Sequence, residues 1–257
     1  MVRDKYAKAA EGSCGCQATP SASCCGSSPD SAEALNRLMG YSAEELAGVV
    51  KGSNLGLGCG NPTAIGKLKP GETVLDLGSG GGFDCFLAAR MVGEEGRVIG
   101  VDMTPEMLRK ARENAGKMKT TNVEFRLGEI EHLPVADNSI DVVISNCVIN
   151  LSPEKHKVFR DAYRALKPGG RLAVSDVVAT RELPEDMREQ ASMLTGCIAG
   201  AEHVDQVENL LRTAGFTQIK ITLKDYSKKL VDQWFPGSGA ENFVASADIE
   251  AVKPFGS

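Results

Sequence analysis

Residues Val74–Gly82, with the sequence Val-Leu-Asp-Leu-Gly-Ser-Gly-Gly-Gly, decide how this chain folds. A short apolar run, which predicts a buried strand, passes directly into a glycine-rich turn. The segment Cys85–Val92 that follows reads as a helix, so the turn connects a strand to a helix. Glycines in such a turn let the backbone pass close to a ligand. The stretch therefore predicts a cofactor loop at the start of an α/β domain.

Strands and helices alternate along the chain after this loop. The predicted strands are Thr73–Leu77, Val98–Val101, Val123–Leu127, Ile140–Ser145 and Arg171–Val178. One helix runs from Pro105 to about Lys119, and another opens at Pro153 and stops at Lys167-Pro168-Gly169-Gly170. This alternation predicts a doubly wound, parallel sheet.

The C-terminal part reads differently. Helices are predicted at Pro184–Ala199 and Val204–Thr213, and the second is closed by Gly215. Thr217–Lys224 and Asn242–Lys253 read as strands with little helix between them, which indicates an antiparallel end to the sheet. The predicted fold is thus a mostly parallel seven-stranded sheet with a C-terminal α+β extension.

Composition and charge narrow the function classes. The chain has 257 residues, 42% of them hydrophobic and 25% charged, which suits a globular protein. Its net charge of -5 speaks against nucleic acid as a partner. No apolar run approaches the roughly 20 residues of a membrane span, and the start lacks the apolar region of a signal peptide. A cytoplasmic protein is expected, and its eight cysteines should be mostly reduced.

Three regions are predicted along the chain. Residues 1–31 form a flexible arm that carries four cysteines, namely Cys14, Cys16, Cys24 and Cys25. Residues 32–180 form the cofactor-binding domain, in which Ser42–Glu45 reads as a capping box. Residues 181–257 complete the sheet.

Two cofactor classes compete for the glycine-rich loop. A dinucleotide loop would have the pattern Gly-x-Gly-x-x-Gly, and Phe83 stands at its last position here. A dinucleotide loop also needs no acid within the first strand, where Asp76 lies. A carboxylate there suits a cationic amino group or sulfonium, and not a pyrophosphate. Asp102 ends the second strand, where acids bind ribose hydroxyls. These residues favour S-adenosylmethionine over NAD.

Three cysteines are predicted to meet near the cofactor. Cys147 directly follows the fourth strand, and ligands of open α/β sheets bind beyond the carboxyl ends of strands. Cys59 lies in the turn-rich segment Leu55–Pro62, and Cys197 lies in Leu194–Gly200 at a helix end. A buried structural cysteine is the alternative for each residue alone. Together, three thiols beside a group-transfer cofactor predict a soft substrate.

Zinc is the alternative ligand for these thiols. No Cys-x-x-Cys pair occurs among the three, and the histidines of the chain are His132, His156 and His203. A dispersed three-thiol pocket with one open face fits a trigonal soft centre better.

The chain from about Leu68 to Val178 resembles the class I S-adenosylmethionine-dependent methyltransferases, which have a Rossmann-like fold. The resemblance rests on the motifs Val74–Gly82, Val101–Met103, Gly128–Glu131 and Leu166–Gly170. It implies cofactor-binding roles for nine residues: Asp76, Gly78, Ser79, Gly80, Asp102, Met103, Glu129, Ile130 and Asn146. By this resemblance, Asp76, Gly78 and Gly80 line the methionine moiety, and Asn146 lies near it. Asp102 holds the ribose, and Met103, Glu129 and Ile130 border the adenine; core packing is the alternative for Met103 and Ile130.

From Asn54 onward, the chain resembles the arsenite methyltransferases within that superfamily. The distinctive segments are Leu57–Pro62, Ser145–Leu151 and Thr195–Gly200. The resemblance implies that Cys147 and Cys197 bind trivalent arsenic and that Cys59 joins them. It also implies that an N-terminal cysteine, here Cys24 or Cys25, is the redox partner of Cys59.

The chemistry agrees with that resemblance. Trivalent arsenic held by thiolates keeps a lone pair, which can attack a sulfonium methyl group without a general base. The product is formally oxidised, so a thiol reductant of the glutathione or thioredoxin type is expected. Arsenite and methylated arsenicals are the expected partners of a monomer that detoxifies arsenic. Two alternatives stay open: a quinone-type C- or O-methyltransferase, and an arsenic-sequestering protein without turnover.

Overall fold

A single seven-stranded sheet forms the centre of this computed structural model, which describes residues 2–11, 37–50, 53, 58–185, 187, 196–234 and 236–256. Its strands are β1 (Thr73–Leu77), β2 (Arg97–Asp102), β3 (Val123–Leu127), β4 (Ile140–Asn146), β5 (Leu166–Ala179), β6 (Thr217–Leu223) and β7 (Val244–Val252). They lie in the order β3-β2-β1-β4-β5-β7-β6. The first five are parallel, and β7 pairs antiparallel with β5 and β6. The predicted fold class is therefore confirmed.

Helices cover both faces of this sheet. They are α1 (Val2–Glu11), α2 (Ala43–Ala47), α3 (Pro62–Gly66), α4 (Phe83–Val92), α5 (Pro105–Met118), α6 (Lys155–Ala165), α7 (Gly196–Ala199), α8 (Val204–Ala214) and α9 (Ser227–Trp234). Short 3-10 turns occur at Ile149–Leu151 and Ala240–Asn242. Within the described ranges, every helix is too short or too polar to cross a bilayer.

The central strands are buried on both faces, as expected where helices cover a parallel sheet on each side. On one face, α6 and α8 pack Phe159 and Leu211 against the sheet. On the other face, α4 and α5 pack Phe86 and Leu108 against it. Strand order reverses between β1 and β4, so a ligand crevice is expected at the carboxyl ends of these two strands.

Most predicted element boundaries agree with the structure. The capping box is confirmed, because the Ser42 hydroxyl accepts from the Glu45 N–H and the Glu45 carboxylate accepts from the Ser42 N–H. Helix α6 begins at Lys155, later than the predicted Pro153. Strand β5 begins at Leu166 and not at Arg171, because Leu166 already pairs with Ile140 before the register shifts.

The prediction of a flexible arm over residues 1–31 is wrong for Val2–Glu11, which form helix α1. This segment contains three alanines and two lysines, residue types with high helix propensity. Propensity alone does not hold so short a helix in water, so packing must contribute. Helix α1 lies against α5, where the Lys110 ammonium donates to the Ala10 carbonyl at 3.3 Å. The arm cysteines, Cys14, Cys16, Cys24 and Cys25, lie outside the described residues.

The expectation of little helix between the last two strands is also wrong. Helix α9 lies there and buries Leu230 and Val231. A short amphipathic segment with few apolar positions gives a weak sequence signal, although its packing is sufficient to order it. The predicted helix Pro184–Ala199 lies largely outside the described residues, and only Gly196–Ala199 is described as a helix there. The division of the chain at residues 31 and 180 stays a prediction.

Candidate active site

A cleft opens beyond the carboxyl ends of β1 and β4. All nine residues predicted to bind the cofactor line it, together with Cys147: Asp76, Gly78, Ser79, Gly80, Asp102, Met103, Glu129, Ile130 and Asn146. Cys59 and Cys197 are not among its lining residues. The fold thus brings the predicted cofactor residues together in one place, while their binding roles stay a prediction.

The glycine-rich loop gives the cleft its shape. Gly78 has φ +71°, and a Cβ on it would lie 2.5 Å from Val148, so only glycine fits this position. Gly80 has φ +49° and no atom within 4 Å of a Cβ position, which leaves open space over the loop. Between them, the buried Ser79 hydroxyl has no hydrogen-bond partner within the described structure. A buried hydroxyl in a cleft wall without a partner is available to a bound ligand.

The charge of the cleft selects the kind of ligand it can hold. Its described lining contains five carboxylates and neither Lys nor Arg, the acids being Asp76, Asp84, Asp102, Glu129 and Glu131. Burial raises the pKa of Asp76 well above its usual range, and the nearby Asp84 charge raises it further. Burial raises the pKa of Asp84 to about 6, against hydrogen bonds that lower it. Such a cleft favours a cation and disfavours a pyrophosphate.

The Asp102 carboxylate joins two segments of the cleft wall. It accepts from the Gly80 N–H at 2.9 Å and from the Thr104 N–H at 2.8 Å. Burial raises the pKa of Asp102, whereas these two N–H groups lower it. The Asp102 carboxylate therefore connects the glycine-rich loop to the start of α5. Met103 stands between Asp102 and Thr104 in the sequence.

Asn146, at the end of β4, connects the cleft with the cysteines. Its side-chain oxygen accepts from the Cys59 N–H at 2.9 Å and from the Gly60 N–H at 3.3 Å. Its amide nitrogen donates to the Gly60 carbonyl at 2.9 Å and to Asp84 at 3.1 Å. Tyr41 donates to the same Asp84 carboxylate at 2.6 Å. A single amide thus fixes the Cys59 segment relative to β4.

Replacing Asn146 by alanine is expected to lower the free energy of unfolding by about 1–3 kcal/mol, because buried donors and acceptors lose their partner. Urea denaturation followed by circular dichroism measures this change. Asn242→Ala is the control, since that amide is exposed and donates to its near neighbours Gly239 and Glu241. Equal stability of the two variants would contradict the fixing role of Asn146.

Cys59 and Cys147 form a disulfide, with their Cα atoms 5.9 Å apart. The expectation of three reduced thiols is therefore corrected for Cys59 and Cys147 in this structure, whereas Cys24 and Cys25, the predicted redox partners of Cys59, lie outside the described residues. The physical reason is that the Cys59 backbone is held at the end of β4 by Asn146 and by the Ser246 hydroxyl, which donates to its carbonyl at 2.7 Å. Two cysteines at this separation are within bonding reach.

The backbone at Cys147 takes an unusual turn. Its φ of +55° lies in the left-handed region, which residues other than glycine seldom adopt. Its N–H donates to the Ser175 carbonyl on β5 at 2.8 Å. This turn follows the end of strand β4. The Cys147 side chain lines the cleft and is bonded to Cys59.

Cys197 lies next to this pair, on helix α7. Its thiol donates to the Cys147 carbonyl at 3.3 Å. Its sulfur lies outside the group formed by the sulfurs of Cys59 and Cys147 and a carboxylate oxygen of Asp176, which are within 4.8 Å of one another. The fold thus brings all three predicted cysteines to one region, but Cys197 less closely than the other two.

Two residues of the site, Asp176 and Tyr6, were not predicted from the sequence. Asp176 adjoins the sulfurs from β5, and burial raises its pKa to about 6 although neighbouring N–H groups lower it. Tyr6 of α1 lines the cleft, and burial raises its pKa, as do the charges of Cys197, Asp176 and Asp102. An acid within the apolar run of β5 was a readable signal for Asp176. No pattern near the N-terminus pointed to Tyr6, because its position depends on tertiary packing of α1.

The chain is similar to known methyltransferases in sequence and in structure. A family model described as "Methyltransferase domain" matches residues 68–215. An arsenite methyltransferase of Halobacterium salinarum is 53% identical over 99% of this chain and 66% of the relative. An arsenite methyltransferase of Aquipseudomonas alcaligenes is 45% identical over 69% of this chain and 55% of the relative. The chain therefore spans between about half and two thirds of the length of these curated relatives.

A solved structure agrees with these matches. The arsenic(III) S-adenosylmethionine methyltransferase of Chlamydomonas reinhardtii is 34% identical, with a TM-score of 0.62, over 89% of this chain and 74% of the relative. The shared length is greater than the span of residues 68–215 that the family model matches. The chain therefore belongs to the methyltransferase domain family and, within it, to the arsenic(III) methyltransferases.

Proposed function

We propose that this protein transfers a methyl group from S-adenosylmethionine to trivalent arsenic that is held by cysteine thiolates. The observation that carries the proposal is the position of Cys147. It lines the carboxylate-rich cleft, and its sulfur is also bonded to Cys59. A thiol-held atom would therefore face a ligand in the cleft directly.

The cleft suits S-adenosylmethionine, which supplies an electrophilic methyl group when it is bound. The five carboxylates of the lining complement its positive charges, and the Ser79 hydroxyl lacks a partner within the described residues. We assign Asp76, Gly78 and Gly80 to the methionine part and Asp102 to the ribose hydroxyls. Met103, Glu129 and Ile130 would then border the adenine.

Arsenic binding requires that the Cys59–Cys147 disulfide is first reduced. Two electrons and two protons from a thiol reductant of the glutathione or thioredoxin type give two thiols, and the reductant leaves as a disulfide. Cys59, Cys147 and Cys197 then offer soft ligands to trivalent arsenic, each after loss of its thiol proton. The arsenic keeps its lone pair, so the chain needs no general base at the site. Positioning and exclusion of water are the main tasks of its residues.

The decisive test is incubation of the reduced, full chain with arsenite, glutathione and S-adenosylmethionine, followed by arsenic speciation. Methylated arsenicals are expected, in amounts that depend on the cofactor. Tight binding of arsenite without any methylated product would point to a sequestering protein. Absence of both arsenite binding and product would contradict the proposal and favour a small-molecule methyltransferase.

The redox state of the site should control arsenite binding. The oxidised protein is expected not to bind arsenite, because the disulfide ties up two of the three proposed ligands. After reduction, binding should change the fluorescence of Trp234, the chain's single tryptophan, which packs against the apolar cluster that contains Cys59 and Cys147. The same response with and without a reductant would contradict this prediction.

Four further features of the proposal are predicted from the sequence alone. The identity of the reductant, the cytoplasmic location, the monomeric state and the absence of nucleic-acid or membrane partners stay predictions. A role of Cys24 or Cys25 as redox partner of Cys59 stays a prediction as well. Disulfide mapping by mass spectrometry after one turnover distinguishes a Cys59 bond to either of them from the Cys59–Cys147 bond.

A further inference from the structure

A buried acid stands behind the two bonded cysteines. Asp176 lies on β5, is 2% exposed, and places a carboxylate oxygen within 4.8 Å of the sulfurs of both Cys59 and Cys147. It does not line the cofactor cleft. Its charge therefore lies on the side of the proposed arsenic centre, whereas the acids of the cleft lie on the side of the methyl donor.

The hydrogen bonds of Asp176 favour its charged form. One oxygen accepts from the Asn150 amide at 3.0 Å and from the Val177 N–H at 2.8 Å. The other accepts from the Ile149 N–H at 3.0 Å and from the Asn150 N–H at 3.4 Å. All four partners are donors, so the bonds are satisfied by the carboxylate anion and leave no acceptor for an acid proton. These four donors hold Asp176 as an anion at neutral pH, against the burial that raises its pKa.

The same bonds argue against Asp176 as an arsenic ligand. Each oxygen already has two donors, and ligation would require breaking bonds to backbone N–H groups that are buried. A carboxylate is also a harder donor than the adjacent sulfurs. The residue is therefore suited to act through its field and not through a bond.

We propose that Asp176 stabilises the positive charge that moves to arsenic during methyl transfer, an inference that rests on the proposed function. In that step the arsenic lone pair forms a bond to the methyl carbon while the bond from that carbon to sulfur breaks. No proton moves. The positive charge of the sulfonium disappears and an equal charge develops on the arsenic centre, whose formal oxidation state rises by two.

The position of Asp176 makes its effect selective. An anion lowers the barrier to methyl transfer only if it interacts more strongly with positive charge on arsenic, in the transition state, than with positive charge on the sulfonium, in the ground state. Asp176 adjoins the sulfurs that would hold arsenic and lies outside the cleft that would hold the sulfonium. Its field therefore favours the charge on arsenic over the charge on the donor.

The test compares single-turnover methylation by the reduced full chain with that of Asp176→Asn, at saturating arsenite and cofactor. Arsenite binding, followed by Trp234 fluorescence, should stay near the wild-type value, while the methylation rate falls roughly 100-fold. An unchanged rate in a variant that binds arsenite would overturn the inference. Failure of the wild type itself to methylate arsenite would instead reject the proposed function.

A second variant separates charge from structure. The neutral amide of Asp176→Asn places a donor against other donors, so it also disturbs the local hydrogen bonds independently of the lost charge. The double variant Asp176→Asn with Asn150→Asp exchanges the amide and the carboxylate across their 3.0 Å hydrogen bond and restores an anion one hydrogen bond away from its native position, although the Val177 carbonyl loses the Asn150 amide as its donor. Recovery of at least about a tenth of the wild-type rate is expected. A double variant that binds arsenite but is as slow as Asp176→Asn would overturn the inference.

Discussion

Replacing Cys147 by serine is expected to abolish both arsenite binding and methylation while leaving cofactor binding near its wild-type value. A hydroxyl is a hard and weakly acidic donor, so it does not replace a thiolate toward trivalent arsenic. Cys147 adjoins Cys59 and lines the cleft, and no other described cysteine does both. Trp234 fluorescence follows arsenite, and calorimetry follows the cofactor.

Cys85→Ser is the matched control for this variant. That thiol is also buried and close to the cleft, but it donates to Asp76 at 3.2 Å and lies apart from the other sulfurs. Arsenite binding by Cys85→Ser should therefore equal that of the wild type. Methylation at the wild-type rate by Cys147→Ser would reject the three-thiol site.

The second large effect is expected at Asp102. Its replacement by alanine should weaken cofactor binding by about 1–3 kcal/mol, which corresponds to a rise in Kd of about 5- to 150-fold. Two causes contribute, because the proposed ribose contact is lost and the Gly80 and Thr104 N–H groups lose their acceptor. Calorimetric titration with S-adenosylmethionine measures the change.

Two further measurements identify the origin of that effect. Asp232→Ala removes an exposed carboxylate outside the cleft, and it should bind the cofactor as the wild type does. Arsenite binding by reduced Asp102→Ala should also be unchanged, since Asp102 lies outside the sulfur cluster. An unchanged cofactor Kd in Asp102→Ala would remove this residue from the binding site.

The parallel part of the sheet was predictable from local sequence. Strands β1 and β3 have the predicted bounds, because each is a short apolar or alternating run between clear turn residues. The glycine-rich loop after β1 needs positive φ at Gly78 and Gly80, a requirement that sequence expresses directly. The topology of such a sheet then determines which strand ends meet, and so the location of the cleft.

The arrangement of the cysteines was harder to predict from the sequence than the sheet. The sequence indicated three thiols, but the approach of Cys59 to Cys147 depends on the amide of Asn146. That contact joins residues 87 positions apart, and no local pattern encodes it. The position of Tyr6 was equally hard to predict from local sequence. The contact of helix α1 with α5, and not its composition alone, places Tyr6 in the cleft.

The left-handed backbone at Cys147 has a consequence for how this protein can evolve. A side-chain-bearing residue at φ +55° costs roughly 1–2 kcal/mol that glycine would not incur. The fold therefore carries a stability deficit at the position where the reactive sulfur stands. A glycine at residue 147 would avoid this cost but would also remove the Cys59–Cys147 disulfide, a kind of bond that typically stabilises a fold by about 2–4 kcal/mol. Stabilising changes are best sought elsewhere, since a relaxed backbone at residue 147 would turn the thiol away from its partners.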